Sequence, residues 1–495
     1  LGKGVLQEIE RTHWGDFPRV LAPIVKRYWQ VSHVKQLPSV MSNAFNHMLG
    51  GRPGPVLIDL PMDVQSDALD IDVGLLDGIS QGRKGRINAE SDLIDDAVEL
   101  LCKAKRPVIL VGGGVNTAGA WDELREVAEV LGAAVVTTMM GKGAFPENHP
   151  LYAWHAGSKG TTCGNAVTRM ADVLLAVGCR FSDQTTSSFR RGVSFAIPPT
   201  SLIHVDVDPH EIGKNYPVKL GIVGDAKLVL GRMAKRLKML DLQRDYRETE
   251  YFRDIQELKR EWFRKLHSFQ YSDKIPVTIS RCLKELREAL PEDAIVVSSS
   301  GNAQAQILQE FPFYLPRTNI TSGGFSTMGF TLPAALGAKL AAPNQPVIGV
   351  VGDGDFLMTI QELATAVQYQ IPVIILVLNN MGWQAITDLQ SATFGEEHKY
   401  ATEFASKNGD FETPNFGRIA EAFGANGVRV SRPEEIKPIV QKSLNNNKPT
   451  VIEVMVNRDF PYSGGESVGW WDVPVPTYIK DRHSLYLDGK RDEQL

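Results

Sequence analysis

The chain of 495 residues is too long for one hydrophobic core and is expected to form two to four domains. Its 43% hydrophobic and 22% charged residues are typical of globular proteins, and a net charge of −5 without a basic patch excludes a nucleic-acid partner. No apolar run reaches the roughly 18–20 residues of a membrane span, and the four cysteines fit neither a disulfide framework nor a zinc site, so we expect a cytoplasmic protein with no membrane partner.

Apolar runs and amphipathic helical stretches alternate in three blocks along the chain. This alternation predicts the α/β class, with three doubly wound parallel-sheet domains of which the first is incomplete. The first block, assigned to a domain of residues 1–75, contains a helix near 37–49 and a strand at 56–60.

The second block predicts a central domain of residues 91–240. Its strands are expected at 108–111, 134–138, 173–177 and 202–207. A charged helical connector follows at 243–269, and we expect it to be a solvated interdomain segment.

The third block predicts a domain of residues 275–462, followed by a tail of residues 463–495. Strands are expected at 295–298, 347–351, 373–378 and 451–456, and helices at 332–340, 360–368 and 433–444.

Polar residues follow two successive strands of the third block. Gly352, Asp353, Gly354 and Asp355 come after the first strand, and the run from Asn379 to Trp383 comes after the second. Because the carboxyl ends of parallel strands meet at one edge of a sheet, where ligands bind, we expect these residues to lie close together.

These residue types suit a magnesium ion that carries a diphosphate. Mg²⁺ takes oxygen ligands, which Asp353, Asn380 and the carbonyl of Gly382 can supply. Gly352 and Gly354 let the backbone approach the diphosphate, and a following helix N-terminus favours its negative charge. Each half alone could be a turn or a helix cap, but the two halves together predict a metal–diphosphate site.

This pair of motifs resembles the signature of thiamine-diphosphate-dependent enzymes, which implies thiamine diphosphate and Mg²⁺ as cofactors. Residues 327–335 resemble the acetolactate synthase-like group, in which the methionine, here Met328 after Thr327, is the wedge that bends the cofactor. The resemblance also implies that Gly301, Asn302 and Gln304 belong to a loop that contacts the diphosphate; Ala303 replaces the histidine usual in acetolactate synthases.

The resemblance extends over nearly the whole chain. Residues 51–61 are similar to the end of the pyrimidine-binding domain, and Gln7 with Glu8 is similar to a Gln–Glu pair earlier in that domain, so Gln7 is a candidate catalytic residue beside Met328 and Trp383. Trp383 could shape the substrate cavity or cover the loop that binds the metal.

The glycines at 112–114 have two interpretations. They form either a tight turn after a strand or a close approach to FAD or another adenine nucleotide. Gln184 replaces the arginine that contacts FAD in acetolactate synthases, and both interpretations stay open.

The glutamate that activates the cofactor in this family lies well upstream of residues 51–61. Only Glu8 and Glu10 precede that motif, and neither follows a strand. We therefore expect about 100 further N-terminal residues, including the catalytic glutamate, from the size of a complete domain. The alternative is a naturally short chain with impaired catalysis.

The resemblance implies an enzyme that makes or breaks a C–C bond next to a carbonyl and acts as a homodimer or homotetramer. One interpretation is acetolactate synthase-like decarboxylation and carboligation of a 2-oxo acid. A second is hydrolysis of a cyclic diketone, because residues 183–188 and the tail around Trp470 and Trp471 resemble trihydroxycyclohexanedione hydrolase. A third is a non-catalytic paralogue that only binds the cofactor.

Overall fold

The computed structural model describes residues 17–71, 85–240, 242, 245–458 and 473–491. The chain divides into two compact units. One comprises Leu1–Asn88 with Val207–Pro209, and the other comprises Ala89–Asp206 with His210–Leu495. Gln7 and the tryptophans of the predicted tail, Trp470 and Trp471, lie outside the described residues.

The first unit contains one small parallel sheet. Its helices are α1 (Phe17–Leu21), α2 (Leu37–Leu49) and α3 (Met62–Ser66), and its strands β1 (Arg27–Gln30) and β2 (Val56–Asp59) pair in parallel. The predicted helix and the predicted strand are both present. The ammonium group of Lys26 donates hydrogen bonds of 2.6–2.8 Å to the carbonyls of His47, Gly50 and Arg52, and so caps the end of α2.

The second unit begins with a six-stranded parallel sheet in the order β5-β4-β3-β6-β7-β8. Its central strands are apolar and buried because helices cover both faces. The strands are β3 (Pro107–Val111), β4 (Ala134–Thr137), β5 (Tyr152–His155), β6 (Val173–Val177), β7 (Ser201–Asp206) and β8 (Leu220–Val223). The helices are α4 (Ser91–Lys103), α5 (Gly113–Ala118), α6 (Trp121–Leu131), α7 (Thr162–Arg169), α8 (Asp183–Thr186) and α9 (Ala226–Met239).

The prediction that the charged connector is a solvated segment is wrong. Residues 250–270 form α10 (Glu250–Gln270), which buries Tyr251, Ile255, Trp262 and Leu266 on one face. The indole Nε1 of Trp262 donates to the carbonyl of Gln309 at 3.2 Å. The many charged residues of the other face hid this apolar stripe in the sequence.

The second unit also contains a second six-stranded parallel sheet, in the order β10-β9-β11-β12-β14-β13. Its strands are β9 (Ile295–Ser298), β10 (Asn319–Thr321), β11 (Val347–Gly352), β12 (Ile374–Asn379), β13 (Asn426–Val430) and β14 (Thr450–Met455). Its helices are α11 (Ile279–Ala289), α12 (Gly301–Glu310), α13 (Thr331–Ala341), α14 (Asp353–Leu357), α15 (Glu362–Gln368), α16 (Gln384–Phe394), α17 (Phe416–Ala422), α18 (Pro433–Leu444) and α19 (Lys480–Arg491).

The direction of chain crossing reverses between β9 and β11 of this sheet. The chain moves from β9 outward to β10, then returns to β11 on the opposite side and continues to β12. The helices after β9 and β11 therefore leave on opposite faces, and a crevice opens between the carboxyl ends of these strands. In the register of the sheet Gly352 lies beside Leu378, so Asp353 and Asn380 follow at the same edge.

A fully buried ion pair of the central domain contacts the C-terminal domain through a hydrogen bond. The Nζ atom of Lys142 lies 2.8 Å from a carboxylate oxygen of Glu147. The same carboxylate accepts hydrogen bonds from the backbone N–H of Phe313 at 3.1 Å and from the hydroxyl of Tyr152 at 2.9 Å. Burying two charges is tolerated when each is paired and its remaining hydrogen-bonding sites are filled, so this pair holds the domains in a defined arrangement.

Across the described residues, no helix combines the length and the apolar character needed to cross a membrane.

We predict that Glu310 makes the stability of this fold pH-dependent. Its carboxyl is buried, with the neutral donors Ser280, Gln306 and Gln270 around it, and burial raises its pKa to about 7. Because the pKa is higher in the folded than in the unfolded chain, the stability from this group is present below pH 4.5 and is lost as the pH rises towards 7.

Glu310→Gln should therefore stabilise the protein relative to wild type by about 1–3 kcal/mol at pH 8 and much less at pH 5. Rotation of the Gln306 amide would present its Oε1, which is buried and has no partner among the described residues, to the new amide donor. Denaturant unfolding followed by circular dichroism at both pH values measures the difference. An equal difference at pH 5 and pH 8 would contradict the assignment.

Candidate functional site

A cleft lies at the crevice between the carboxyl ends of β9, β11 and β12. The loops that follow these strands approach one another there, and the loop before α13 completes the cleft. The predicted site residues that line it are Gly301, Asn302, Met328, Gly352, Asp353, Gly354, Asp355, Asn380, Gly382 and Trp383.

The carboxylate of Asp353 links the two polar motifs. One oxygen accepts from the backbone N–H of Gly354 at 2.8 Å, and the other accepts from the N–H of Gly382 at 3.0 Å. The side chain is 1% exposed, and this burial raises its pKa to about 6 despite the two hydrogen bonds. No basic side chain is among the residues that line the cleft, so a bound cation is the partner that would favour the ionised form.

The amide oxygen of Asn380 is buried and has no hydrogen-bond partner among the described residues. Such an atom costs free energy unless a ligand occupies its lone pairs. It lines the same cleft as the Asp353 carboxylate and Gly382. A carboxylate, an amide oxygen and a backbone carbonyl form a donor set that suits Mg²⁺, so these residues fit the predicted ion.

The three glycines of the cleft differ in what an added side chain would meet. A Cβ atom at Gly354 would lie 2.3 Å from Nε1 of Trp383, and one at Gly382 would lie 2.7 Å from the carbonyl oxygen of Thr402. A Cβ atom at Gly352 would meet nothing within 4 Å. Gly354 and Gly382 therefore permit close packing within the protein, whereas the absent side chain at Gly352 leaves space.

The carboxylate of Asp355 points to the loop that carries Met328. It accepts from the backbone N–H of Gly329 at 2.5 Å and from the hydroxyl of Ser299. The Ser299 hydroxyl in turn accepts from the hydroxyl of Thr331 at 2.8 Å. Burial raises the pKa of Asp355. Its hydrogen bonds fix the backbone on one side of the cleft.

Comparison with known proteins gives two family matches. Residues 94–233 match the central domain of thiamine pyrophosphate enzymes, and residues 299–454 match their C-terminal domain, which binds thiamine pyrophosphate (the same compound as thiamine diphosphate). The chain belongs to the acetolactate synthase-like thiamine pyrophosphate enzymes. It is therefore an enzyme that depends on this cofactor.

Three acetolactate synthase large subunits illustrate the similarity. A probable large subunit of Methanocaldococcus jannaschii is 36% identical over 465 residues, which cover 92% of this chain and 75% of that protein. The isozyme 3 large subunit of Escherichia coli is 35% identical over 456 residues, or 89% of this chain and 75% of that protein. The large subunit of Corynebacterium glutamicum is 34% identical over 466 residues, which cover 93% of this chain and 71% of that protein.

Two predicted cofactor-binding residues, Gln304 and Thr327, do not line the cleft. Gln304 lies one turn into α12 and is fully buried; its amide donates to the carbonyl of Ser299 at 2.5 Å and to the hydroxyl of Thr321 at 2.7 Å. Its carbonyl accepts from Nζ of Lys159 at 3.3 Å. Thr327 is exposed. The helical turn carries Gln304 away from Gly301 and Asn302, which stay at the open N-terminus of α12.

The glycine-rich turn at 112–114 packs against a second turn. A Cβ atom at Gly112 would lie 2.0 Å from the carbonyl oxygen of Gly178, and one at Gly114 would lie 2.6 Å from the Cα of Gly178. A Cβ atom at Gly113 would lie 2.8 Å from the Cβ of Met140. These contacts account for all three glycines and favour the tight-turn interpretation.

Sequence reasoning missed the role of Asn379. Its amide donates to the carboxylate of Glu453 and to the hydroxyl of Thr413, both at 2.7 Å, and its carbonyl accepts from the N–H of Met381 at 3.1 Å. Glu453 is fully buried and also accepts from the N–H of Phe416. The available signal was a lone glutamate within the apolar run of β14.

We predict that Gly354→Ala displaces Trp383. The added methyl group clashes with the indole and should destabilise the protein by about 1–3 kcal/mol, the usual cost of overpacking. Gly352→Ala, whose methyl group meets nothing, is the matched control.

Denaturant unfolding of Gly354→Ala, Trp383→Ala and the double variant measures the coupling between the two positions. In the double variant, Trp383→Ala should relieve most of the destabilisation that Gly354→Ala causes. A loss in the double variant equal to the sum of the two single losses would contradict this packing.

Proposed function

We propose that this enzyme decarboxylates a 2-oxo acid and joins the resulting fragment to a second 2-oxo acid, as in acetolactate synthesis. The observation that carries the proposal is the cleft of Asp353 and Asn380, in a chain 36% identical over 465 residues to a probable acetolactate synthase large subunit. Thiamine diphosphate, when bound, supplies the electron sink for breaking and making C–C bonds next to a carbonyl.

In this proposal Mg²⁺ is held by Asp353, Asn380 and the carbonyl of Gly382. In the described part of the chain, no group of three or more His, Cys, Asp or Glu side chains could hold a metal ion. The proposed site has a single carboxylate, so oxygens of the diphosphate must complete the coordination. The metal and the cofactor should therefore bind together, each raising the affinity for the other.

The other cleft residues orient the cofactor. Gly301 and Asn302, at the N-terminus of α12, offer backbone N–H groups to the diphosphate. Met328 lines the cleft, where it would support the bent form of the cofactor, and the indole of Trp383 packs against Gly354. Asp355 in α14 and Gln304 in α12 contribute by hydrogen bonds to the backbone of neighbouring loops, at Gly329 and Ser299.

The proposal includes a cytoplasmic homodimer or homotetramer with domains at 1–75, 91–240 and 275–462 and a tail at 463–495. None of the four cysteines, all within the described residues, forms a disulfide, and three are buried, which supports a reducing compartment. A bound FAD or other adenine nucleotide remains part of the prediction, and release of flavin on denaturing the purified protein tests it.

Asp353→Ala and Asn380→Ala should each abolish Mg²⁺-dependent retention of thiamine diphosphate, because each removes one protein ligand of the metal. Equilibrium dialysis with and without Mg²⁺ measures retention. Asn415→Ala, which removes a helix cap of the same domain, is the control and should retain the cofactor. Retention by Asp353→Ala at the wild-type level would refute the metal site.

Incubation of the protein expressed from its complete gene with pyruvate, thiamine diphosphate and Mg²⁺ tests the reaction. We expect carbon dioxide and acetolactate as products, and Asp353→Ala should form neither. Cofactor binding without turnover of pyruvate would contradict the 2-oxo acid reaction. Hydrolysis of a cyclic diketone under the same conditions would then assign the second function, and failure to exchange the C2 proton of bound cofactor would indicate a non-catalytic paralogue.

A further inference from the structure

The segment Asn380–Trp383, here called the metal loop, needs support from outside itself. It connects β12 to α16, and Met381 has a φ angle of 61°. This left-handed conformation is unfavourable for a residue with a side chain and persists only where neighbouring groups hold it. The loop also carries Asn380 and Gly382, two of the proposed metal ligands.

The guanidinium of Arg458 binds the backbone of this loop directly. Its Nε donates to the carbonyl of Asn380 and one terminal nitrogen donates to the carbonyl of Met381, both at 3.1 Å. The other terminal nitrogen lies 2.6 Å from a carboxylate oxygen of Glu403. The guanidinium carbon lies 3.9 Å from the ring centroid of Phe411. The planar fork of arginine suits such simultaneous contacts, whereas a lysine ammonium cannot reproduce them.

Glu403 belongs to a segment that pairs with the metal loop. The N–H of Trp383 donates to the carbonyl of Thr402 at 2.8 Å, and the N–H of Phe404 donates to the carbonyl of Met381 at 3.0 Å. Gly382 and Glu403 form an antiparallel bridge between these bonds. Arg458 therefore fixes both the metal loop and the segment against which the loop lies.

The position of this loop determines the geometry at the cation. The N–H of Gly382 donates to the Asp353 carboxylate, so a displaced loop would disturb all three proposed ligands at once. Mg²⁺ requires near-ideal octahedral geometry and tolerates little displacement. Arg458 itself is not among the residues that line the cleft.

We propose that Arg458 is a positioning residue that, with Glu403, holds the metal loop in the conformation that binds the divalent cation, and thereby sets the affinity for Mg²⁺. This inference rests on the proposed function of the cleft.

The test measures Mg²⁺ binding by calorimetry at saturating thiamine diphosphate, together with the thermal midpoint of each variant without ligands. Arg458→Met should weaken Mg²⁺ binding by about tenfold or more, as outer-shell substitutions do at other metal sites. Arg458→Lys and Glu403→Gln should give smaller losses. The Mg²⁺ concentration for half-maximal turnover should rise in parallel, while high Mg²⁺ restores most of kcat.

Arg281→Met is the matched control. Arg281 also makes two ion pairs, with Asp273 at 3.0 Å and Glu285 at 2.9 Å, and it does not line the cleft. This variant should lose thermal stability comparably and keep wild-type affinity for Mg²⁺.

Affinity of Arg458→Met within twofold of wild type would overturn the inference, as would an equal loss in Arg281→Met. If Arg458→Met does not fold, Arg458→Lys and Glu403→Gln decide, and wild-type affinity in both overturns it. A wild-type protein that binds neither Mg²⁺ nor thiamine diphosphate would instead refute the proposed function itself.

Discussion

The buried carboxylate of Asp353 is the interaction on which the candidate site depends. It accepts hydrogen bonds from Gly354, at the start of α14, and from Gly382, after β12, and so joins two motifs that are separated in the chain by the rest of α14, α15 and β12. Burial raises its pKa to about 6, which means that the protein alone stabilises the charged form poorly. A cation that binds between this carboxylate and a diphosphate would offset that cost, so cofactor binding and metal binding are physically linked.

The two sheet domains have similar strand arrangements, but the loops at the carboxyl ends of their strands pack differently. In the central domain the turns after β3 and β6 meet, and the backbones of Gly112 and Gly178 pack directly against each other. In the C-terminal domain the loops after β9, β11 and β12 border a cleft and present polar atoms to it. The sheet topology brings these strand ends together in both domains, and the residues at the strand ends determine how closely the loops pack.

Features encoded in local sequence were predictable. Long runs of branched apolar residues identified β3, β6, β11 and β12, and their order placed Asp353 and Asn380 at one edge. Short strands such as β10 (Asn319–Thr321) carry polar residues and exist only through pairing with a neighbour, so composition did not indicate them. The direction of Gln304 depends on how α12 packs, and Arg458 lies 78 residues from the carbonyl of Asn380 that it binds. Contacts of this kind belong to the tertiary structure.

Charged side chains hold the segments that form the cleft. Asp355 fixes the loop of Met328, Glu453 fixes Asn379, and Arg458 fixes the metal loop. Because this support exists within the protein itself, the cleft is held by contacts that need no ligand, which would lower the entropic cost of binding one. Contacts of this kind with a metal and a diphosphate would select the cofactor and would not distinguish one substrate from another. Discrimination between substrates must therefore come from groups that face the reacting carbon. In this chain Asn302 and Gln384 line the cleft, and both donate hydrogen bonds to the carboxylate of Asp388 in α16.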